Sequence, residues 1–277
     1  MNNKQKNPLK KSSHFPLKSM RHSKSAIVFL TLQSLFLLFP SLAFGEDIIT
    51  DSAFLNHICT SFDNYTANST YASNLNQAFY QLTSNAPPSG FAQVSFGKGL
   101  QTQVNGLALC RGDVSVADCR NCVATGSQEI QVRCPLSKGA IIWYDFCVLK
   151  YSNTEFFGKI DNRNKFALIN VQSVDNNVTV FNEQVKGLLM DLAQKVELAT
   201  NNPKFYVIGE RKIEPFKKKL YGLVQCTRDL SGAACKKCLN DAIGELSSCC
   251  DARIGGRVVG ASCNFRYELY PIVDAQR

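Results

Sequence analysis

The chain has 277 residues, 45% of them hydrophobic and 19% charged, with 31 Lys and Arg, 22 Asp and Glu, three histidines and 12 cysteines. The formal charge of +9 invites an anionic partner, but seven of the basic residues and none of the acids precede residue 46. The remainder carries 24 bases against 22 acids, a net +2 that leaves no footprint for nucleic acid.

Residues 1–45 read as a secretory signal. Basic residues are scattered up to Lys24, an apolar run follows from Ala26 to Phe44, and the small Ala43 and Gly45 are spaced for cleavage. Met20 is a more ordinary initiator than Met1, because the basic part is long for a signal. The alternative is an uncleaved anchor, since the run is close to spanning length. No second apolar span occurs near the C-terminus. The mature chain is therefore expected to have no stable membrane span.

The sequons "NYT" at Asn64, "NST" at Asn68 and "NVT" at Asn177 fit a secreted chain and are glycosylation candidates. "TYASNLNQAFYQLTSN" places Leu75, Ala78, Phe79 and Leu82 on one helical face. "FAQVSFGKGLQTQVNGLALC" has strand character. A second helix starts at Ser115, an N-cap candidate with Asp118 three residues on, as in a capping box. "AIIWYDFCVLKYS" is β-rich. "NTEFFGKIDNRNKF" reads as a linker whose phenylalanines suggest packing between its neighbours. The order then recurs. "FNEQVKGLLMDLAQKVELATN" aligns Val185, Leu188, Leu189, Leu192 and Val196; a strand-like stretch leads to Ser231, the counterpart of Ser115; "GRVVGASCNFRYELYP" closes the second copy.

A shift of 116 residues carries Cys110, Cys119, Cys122, Cys134 and Cys147 onto Cys226, Cys235, Cys238, Cys250 and Cys263 without a gap. Two copies of one module follow. The order of elements argues for an α+β layer in each, with two helices packed on one face of an antiparallel sheet. The C-x8-C-x2-C blocks admit three chemistries: a zinc site, a redox dithiol or a disulfide framework. An even cysteine count in an exported chain favours disulfides, and the extra cysteines at fixed spacing argue against zinc. No metal or other cofactor is expected. No nucleophile elbow, metalloprotease or phosphate-loop motif occurs, and His57 reads as an ordinary strand or surface residue, so no enzyme is expected. The "RGD" at Arg111–Asp113 is a three-residue match that chance supplies often.

The C-x8-C-x2-C blocks and the two β-rich ends resemble the plant cysteine-rich repeat secretory proteins, which carry two ginkbilobin-type, or stress-antifungal, domains. The resemblance implies domain 1 over residues 46–155, a linker over 156–165, domain 2 over 166–272 and a tail over 273–277. Each domain would be a disulfide-stapled five-stranded antiparallel sheet with two helices. It implies the pairs Cys59–Cys134, Cys110–Cys119, Cys122–Cys147, Cys226–Cys235 and Cys238–Cys263. Ile169 stands where copy two would need a counterpart of Cys59, which leaves Cys249 and Cys250 unassigned. Ginkbilobin binds mannose and inhibits fungi, and its sugar site maps onto Asn170, Arg257 and Glu268; copy one has Thr60, Ile141 and Ser152 there. The competing reading of Arg257 and Glu268 is a cross-strand pair that ties the sheet. The expected function is apoplastic binding or defence, as a mannose-type lectin or as a protein-interaction module that meets receptor ectodomains.

Overall fold

The computed structural model describes residues 52–198 and 204–273; the expected signal peptide lies outside the described residues. Fifteen elements form two lobes of one topology. Lobe 1 contains β1 (Phe54–Cys59), α1 (Thr70–Ser89), β2 (Phe91–Phe96), β3 (Val104–Cys110), α2 (Val116–Arg133), β4 (Gly139–Tyr144) and β5 (Cys147–Ser152). Lobe 2 contains β6 (Lys165–Ile169), α3 (Val178–Leu198), β7 (Tyr206–Ile213), β8 (Lys218–Cys226), α4 (Gly232–Ile243), the single turn α5 (Leu246–Cys249), β9 (Gly256–Gly260) and β10 (Cys263–Glu268). Each lobe has a five-stranded antiparallel sheet, ordered β1-β4-β5-β3-β2 and β6-β9-β10-β8-β7.

The helices form where the local signals lie. Ser69 caps α1 by accepting from the Ala72 amide, and Ser231 caps α4 by accepting from that of Ala234. Ser115 Oγ accepts from the Asp118 amide and donates to the Asp118 carboxylate, so the acid answers the hydroxyl of its cap. The apolar faces of α1 and α3 are buried against their own sheets. Helix α1 runs beyond its periodic stretch through Pro87 and Pro88 and stops at Gly90, whose φ of 79° is left-handed. Neither proline has an amide to donate to the turn before it, and the helix ends at Ser89.

The faces turned away from the helices meet each other. Leu107, Leu109, Ile141, Trp143 and Val148 of lobe 1 share a third core with Val259, Ala261 and Phe166 of lobe 2. Trp143 is 1% exposed, donates from its indole nitrogen to the Gly260 carbonyl at 3.1 Å, and meets the Phe166 ring edge-on. Phe156 and Phe157, between the lobes in sequence, pack against this core.

Six disulfides tie the described residues: Cys59–Cys134, Cys110–Cys119, Cys122–Cys147, Cys226–Cys235, Cys238–Cys263 and the adjacent Cys249–Cys250. Register explains the difference between lobes. Cys59 lies opposite Ala140, and Ile169 lies opposite Gly256, the residue 116 positions on. Lobe 2 thus has no sulfur on its first strand to receive Cys250, which bonds its neighbour. A bridge between adjacent residues closes no loop and leaves the unfolded chain almost as free as before.

The loop model gives about 4.5 kcal/mol for Cys59–Cys134, about 3.5 for each 25-residue bridge and almost nothing for the adjacent pair. The Cys249→Ser/Cys250→Ser protein should therefore unfold in urea close to the wild type. Cys122→Ser/Cys147→Ser should lose several kcal/mol. Under graded dithiothreitol without denaturant, mass spectrometry of trapped thiols should find Cys249 and Cys250 labelled before the cysteines of the buried bridges Cys110–Cys119, Cys122–Cys147, Cys226–Cys235 and Cys238–Cys263, because Cys249 is half-buried and its bridge ties no second element.

Candidate functional site

The richest cluster of charge in the structure lies at the junction of the lobes. Arg111, just beyond β3, grips both oxygens of Asp113, at 2.7 and 2.8 Å. Its Nη1 donates to Asp145 Oδ2 at 2.9 Å. The other oxygen of Asp145 accepts from Arg257 of lobe 2 at 2.6 Å. An alternating chain of acid, base, acid and base thus crosses from one lobe to the other. Tyr206 of lobe 2 joins it by donating to Asp113 at 3.1 Å, and Gln225 donates to the Cys110 carbonyl at 2.9 Å. Gly112 is required here: a Cβ would stand 2.3 Å from the Tyr206 ring. The Arg-Gly-Asp triplet is thus part of the lobe contact, with Arg111 and Asp113 side chains 10% and 8% exposed. They are not displayed for adhesion.

Burial and charge pull in opposite directions on these groups. Burial raises the Asp145 carboxyl, but Arg257 and Arg111 outweigh it and hold the group below its ordinary 3.8. Burial likewise raises Asp113, and the hydrogen bond and charge of Arg111 bring it below 3.8. Arg257 is lowered, mainly by burial, against the pull of Asp145.

Asn170, Arg257 and Glu268 lie on one face of the second sheet. The Asn170 amide donates to the Gly255 carbonyl at 2.9 Å, as Thr60 does to Gly139 in lobe 1, so the two positions correspond. The Asn170 side-chain oxygen accepts from the Gln172 amide. Glu268 receives Arg266 at 3.0 Å and packs its carboxylate over Gly255, where a Cβ would stand 1.9 Å from Oε2. Arg257 and Glu268 have side chains 12% and 9% exposed. They do not form the expected cross-strand pair: the strand partner of Arg257 is Arg266, and its counter-charge comes from the other lobe. Arg257 Nε and Glu268 Oε2 are buried without a hydrogen-bond partner among the described residues. Thr60 is exposed, whereas Ile141 sits in the lobe contact, fully buried.

His57 lies on β1 with Cys59 and Cys134, their ligand atoms within 4.8 Å of one another. The two sulfurs are engaged in a disulfide, which leaves one imidazole and no metal-binding set. Asn64, Asn68 and Asn177 are exposed. Among the described residues no helix is long and apolar enough to cross a membrane.

The salt stress response/antifungal family model matches residues 58–154 and again 170–270. The chain belongs to this family. It is 57% identical to an antimicrobial ginkbilobin-2-like protein of Castanea crenata, over 80% of this chain and 89% of that one. It is 50% identical to cysteine-rich repeat secretory protein 38 of Arabidopsis thaliana, over 85% and 95%. Among solved structures, the tandem DUF26 ectodomain of an Arabidopsis thaliana cysteine-rich receptor-like protein matches with a TM-score of 0.68 and 27% identity, covering 78% of this chain and 98% of that ectodomain. Family membership accounts for the duplicated stapled fold; the ion chain between the lobes comes from this chain's own side chains.

Asp145→Asn removes the carboxylate shared by Arg111 and Arg257 and leaves Arg257 buried without a full counter-charge. A loss of about 3 kcal/mol at neutral pH is expected, near the low end for a broken buried pair because Asp145 is partly exposed. Both carboxyl groups titrate below their unfolded value in the folded chain, so their contribution is complete above about pH 4 and disappears as the pH falls through the lowered value. Urea midpoints at pH 6 and pH 3 should therefore differ less in Asp145→Asn than in the wild type.

Proposed function

We propose that the chain is an apoplastic defence protein that recognises other proteins, receptor ectodomains among them, through the outer surface of two lobes held as one body. The observation that carries this reading is the 2.6 Å ion pair from Arg257 to Asp145. It engages the principal donor of the inferred sugar site inside the molecule. A saccharide seeking that guanidinium would compete with a charge-assisted bond in a site largely screened from water. The antimicrobial name of the Castanea crenata relative supports the defence role, and the receptor-like ectodomain supports protein recognition on the same scaffold. No step of catalysis enters this reading.

The second reading is the mannose-type lectin. Two orphaned atoms favour it: Arg257 Nε is a donor and Glu268 Oε2 an acceptor, which suits a sugar hydroxyl. It requires the Gly255 turn or the lobe contact to open. A mannoside-bearing glycan array decides between them. No binding by wild type above a heat-denatured control is expected. Mannose binding that survives in Asp145→Asn and is lost in both Arg257→Ala and Glu268→Gln would overturn protein recognition in favour of the lectin. In the positive direction, a pull-down from apoplastic fluid should recover a receptor ectodomain whose capture persists in excess mannose.

A further inference from the structure

Each lobe has a cleft between the N-terminal half of its first helix and the C-terminal end of its second, and a sequon stands at the head of that helix in both. In lobe 1 the cleft is open, with a volume of about 700 Å³. One wall is a stripe of α1: Asn68 and Ser69, then Ala72 and Ser73, then Asn76 and Gln77, then Tyr80. These follow the helical repeat, so they line a single trough about 18 Å long. Its near end is left open by the small side chains of Ala72 and Ser73. Its far end carries Tyr80, 76% exposed. Gln131 and Leu136 form the opposite wall with Tyr65, and no lining residue carries a charge.

The lining has the chemistry of a neutral carbohydrate seat. Carboxamides offer a donor and an acceptor side by side, which matches paired sugar hydroxyls and acetamido groups. Among the described residues neither Asn76 nor Gln77 has a hydrogen-bond partner for its side chain. An exposed tyrosine presents a flat apolar face with a polar tip, suited to the C–H face of a pyranose ring. Asn68 is itself an acceptor asparagine, in "NST", exposed, with a left-handed φ of 63° just before the helix.

We propose that the N-linked glycan of Asn68 folds back into this cleft and lies along α1, its inner rings over Ala72 and Ser73 and its outer rings against Gln77 and Tyr80. The tether supplies the high local concentration that a weak sugar contact needs. Lobe 2 provides the internal comparison. Asn177 occupies the same corner with a φ of 56°. Its cleft carries Val178 and Leu246 beside Glu183, Lys186 and Asp251, and its one carboxamide, Asn182, is already bonded to Asp251 and to the Ala252 amide, so it lacks the free, uncharged amide stripe of lobe 1. The glycan of Asn177 stands free in solvent.

The test uses the secreted protein from mammalian cells carrying Asn64→Gln, so that lobe 1 has one sequon. Release by peptide N-glycosidase is followed by mass spectrometry on native and denatured protein. A glycan seated nine parts in ten of the time is released about tenfold more slowly. Asn68 should show that lag relative to Asn177 in the native protein and none after denaturation. Tyr80→Ser and Gln77→Ala, both on the exposed face, should abolish the lag while near-ultraviolet circular dichroism stays unchanged. Equal native rates at the two sites, an unmodified Asn68, or a lag that survives Tyr80→Ser and Gln77→Ala together would overturn the proposal. So would a free neutral oligosaccharide that binds the glycosylated protein as well as it binds Asn68→Gln.

Discussion

A guanidinium cannot be enclosed between two apolar sheets unless a counter-charge is enclosed with it. Arg257 meets that condition through Asp145, and Asp145 is in turn held by Arg111. The chain of alternating charge therefore fixes how the lobes face each other, because any sliding of one sheet over the other would strand a buried cation. The apolar residues around it, Trp143 and Val259 among them, supply contact area that tolerates small shifts. The ions supply register. Trp143 adds a directional bond to Gly260, and Tyr206 closes the far side by lying on Gly112.

This contact depends on the two copies having diverged. At the offset of 116 residues, Arg257 corresponds to Ile141, Asp145 to Ala261 and Arg111 to Thr227. Three of the four charged members of the chain have a neutral counterpart in the sister copy; Asp113 alone keeps an acid, Asp229. Two identical lobes would have presented like charges or none to each other. The divergence also explains the sugar-site positions: the arginine that resembles a ligand-binding group in copy two is the one that copy one's acid has recruited.

The parts of the structure that were legible in the sequence are those set by local spacing. The buried stripes of α1 and α3, the serine caps at Ser115 and Ser231 and the duplicated cysteine block all follow from residues within a few turns of one another. The lobe contact was harder to read. "GLALC" and "AIIWY" are buried along their whole length, the pattern of strands covered on both faces. That continuity was a usable signal that something other than the helices lies on the sheet. The partner of Arg257 had no such signal. A cross-strand argument looks for it within one copy, whereas Asp145 is 112 residues away in the other. Likewise the triplet at Arg111, a chance match to an adhesion motif in sequence, is a buried part of the lobe contact in space.

Because one face of each sheet is covered by helices and the other by the sister lobe, little strand surface is left for a partner. The outward surface consists of the helices and the edge strands β1, β2, β6 and β7. The cleft beside α1 is uncharged and amide-lined, while the one beside α3 mixes apolar groups with Glu183, Lys186 and Asp251. A seated glycan in the first cleft would cover lobe 1 and leave lobe 2 as the exposed recognition surface. The duplicated fold then gives two lobes of one architecture unequal roles: one shielded by carbohydrate, the other open to contact, and both held in fixed relation by a single shared carboxylate.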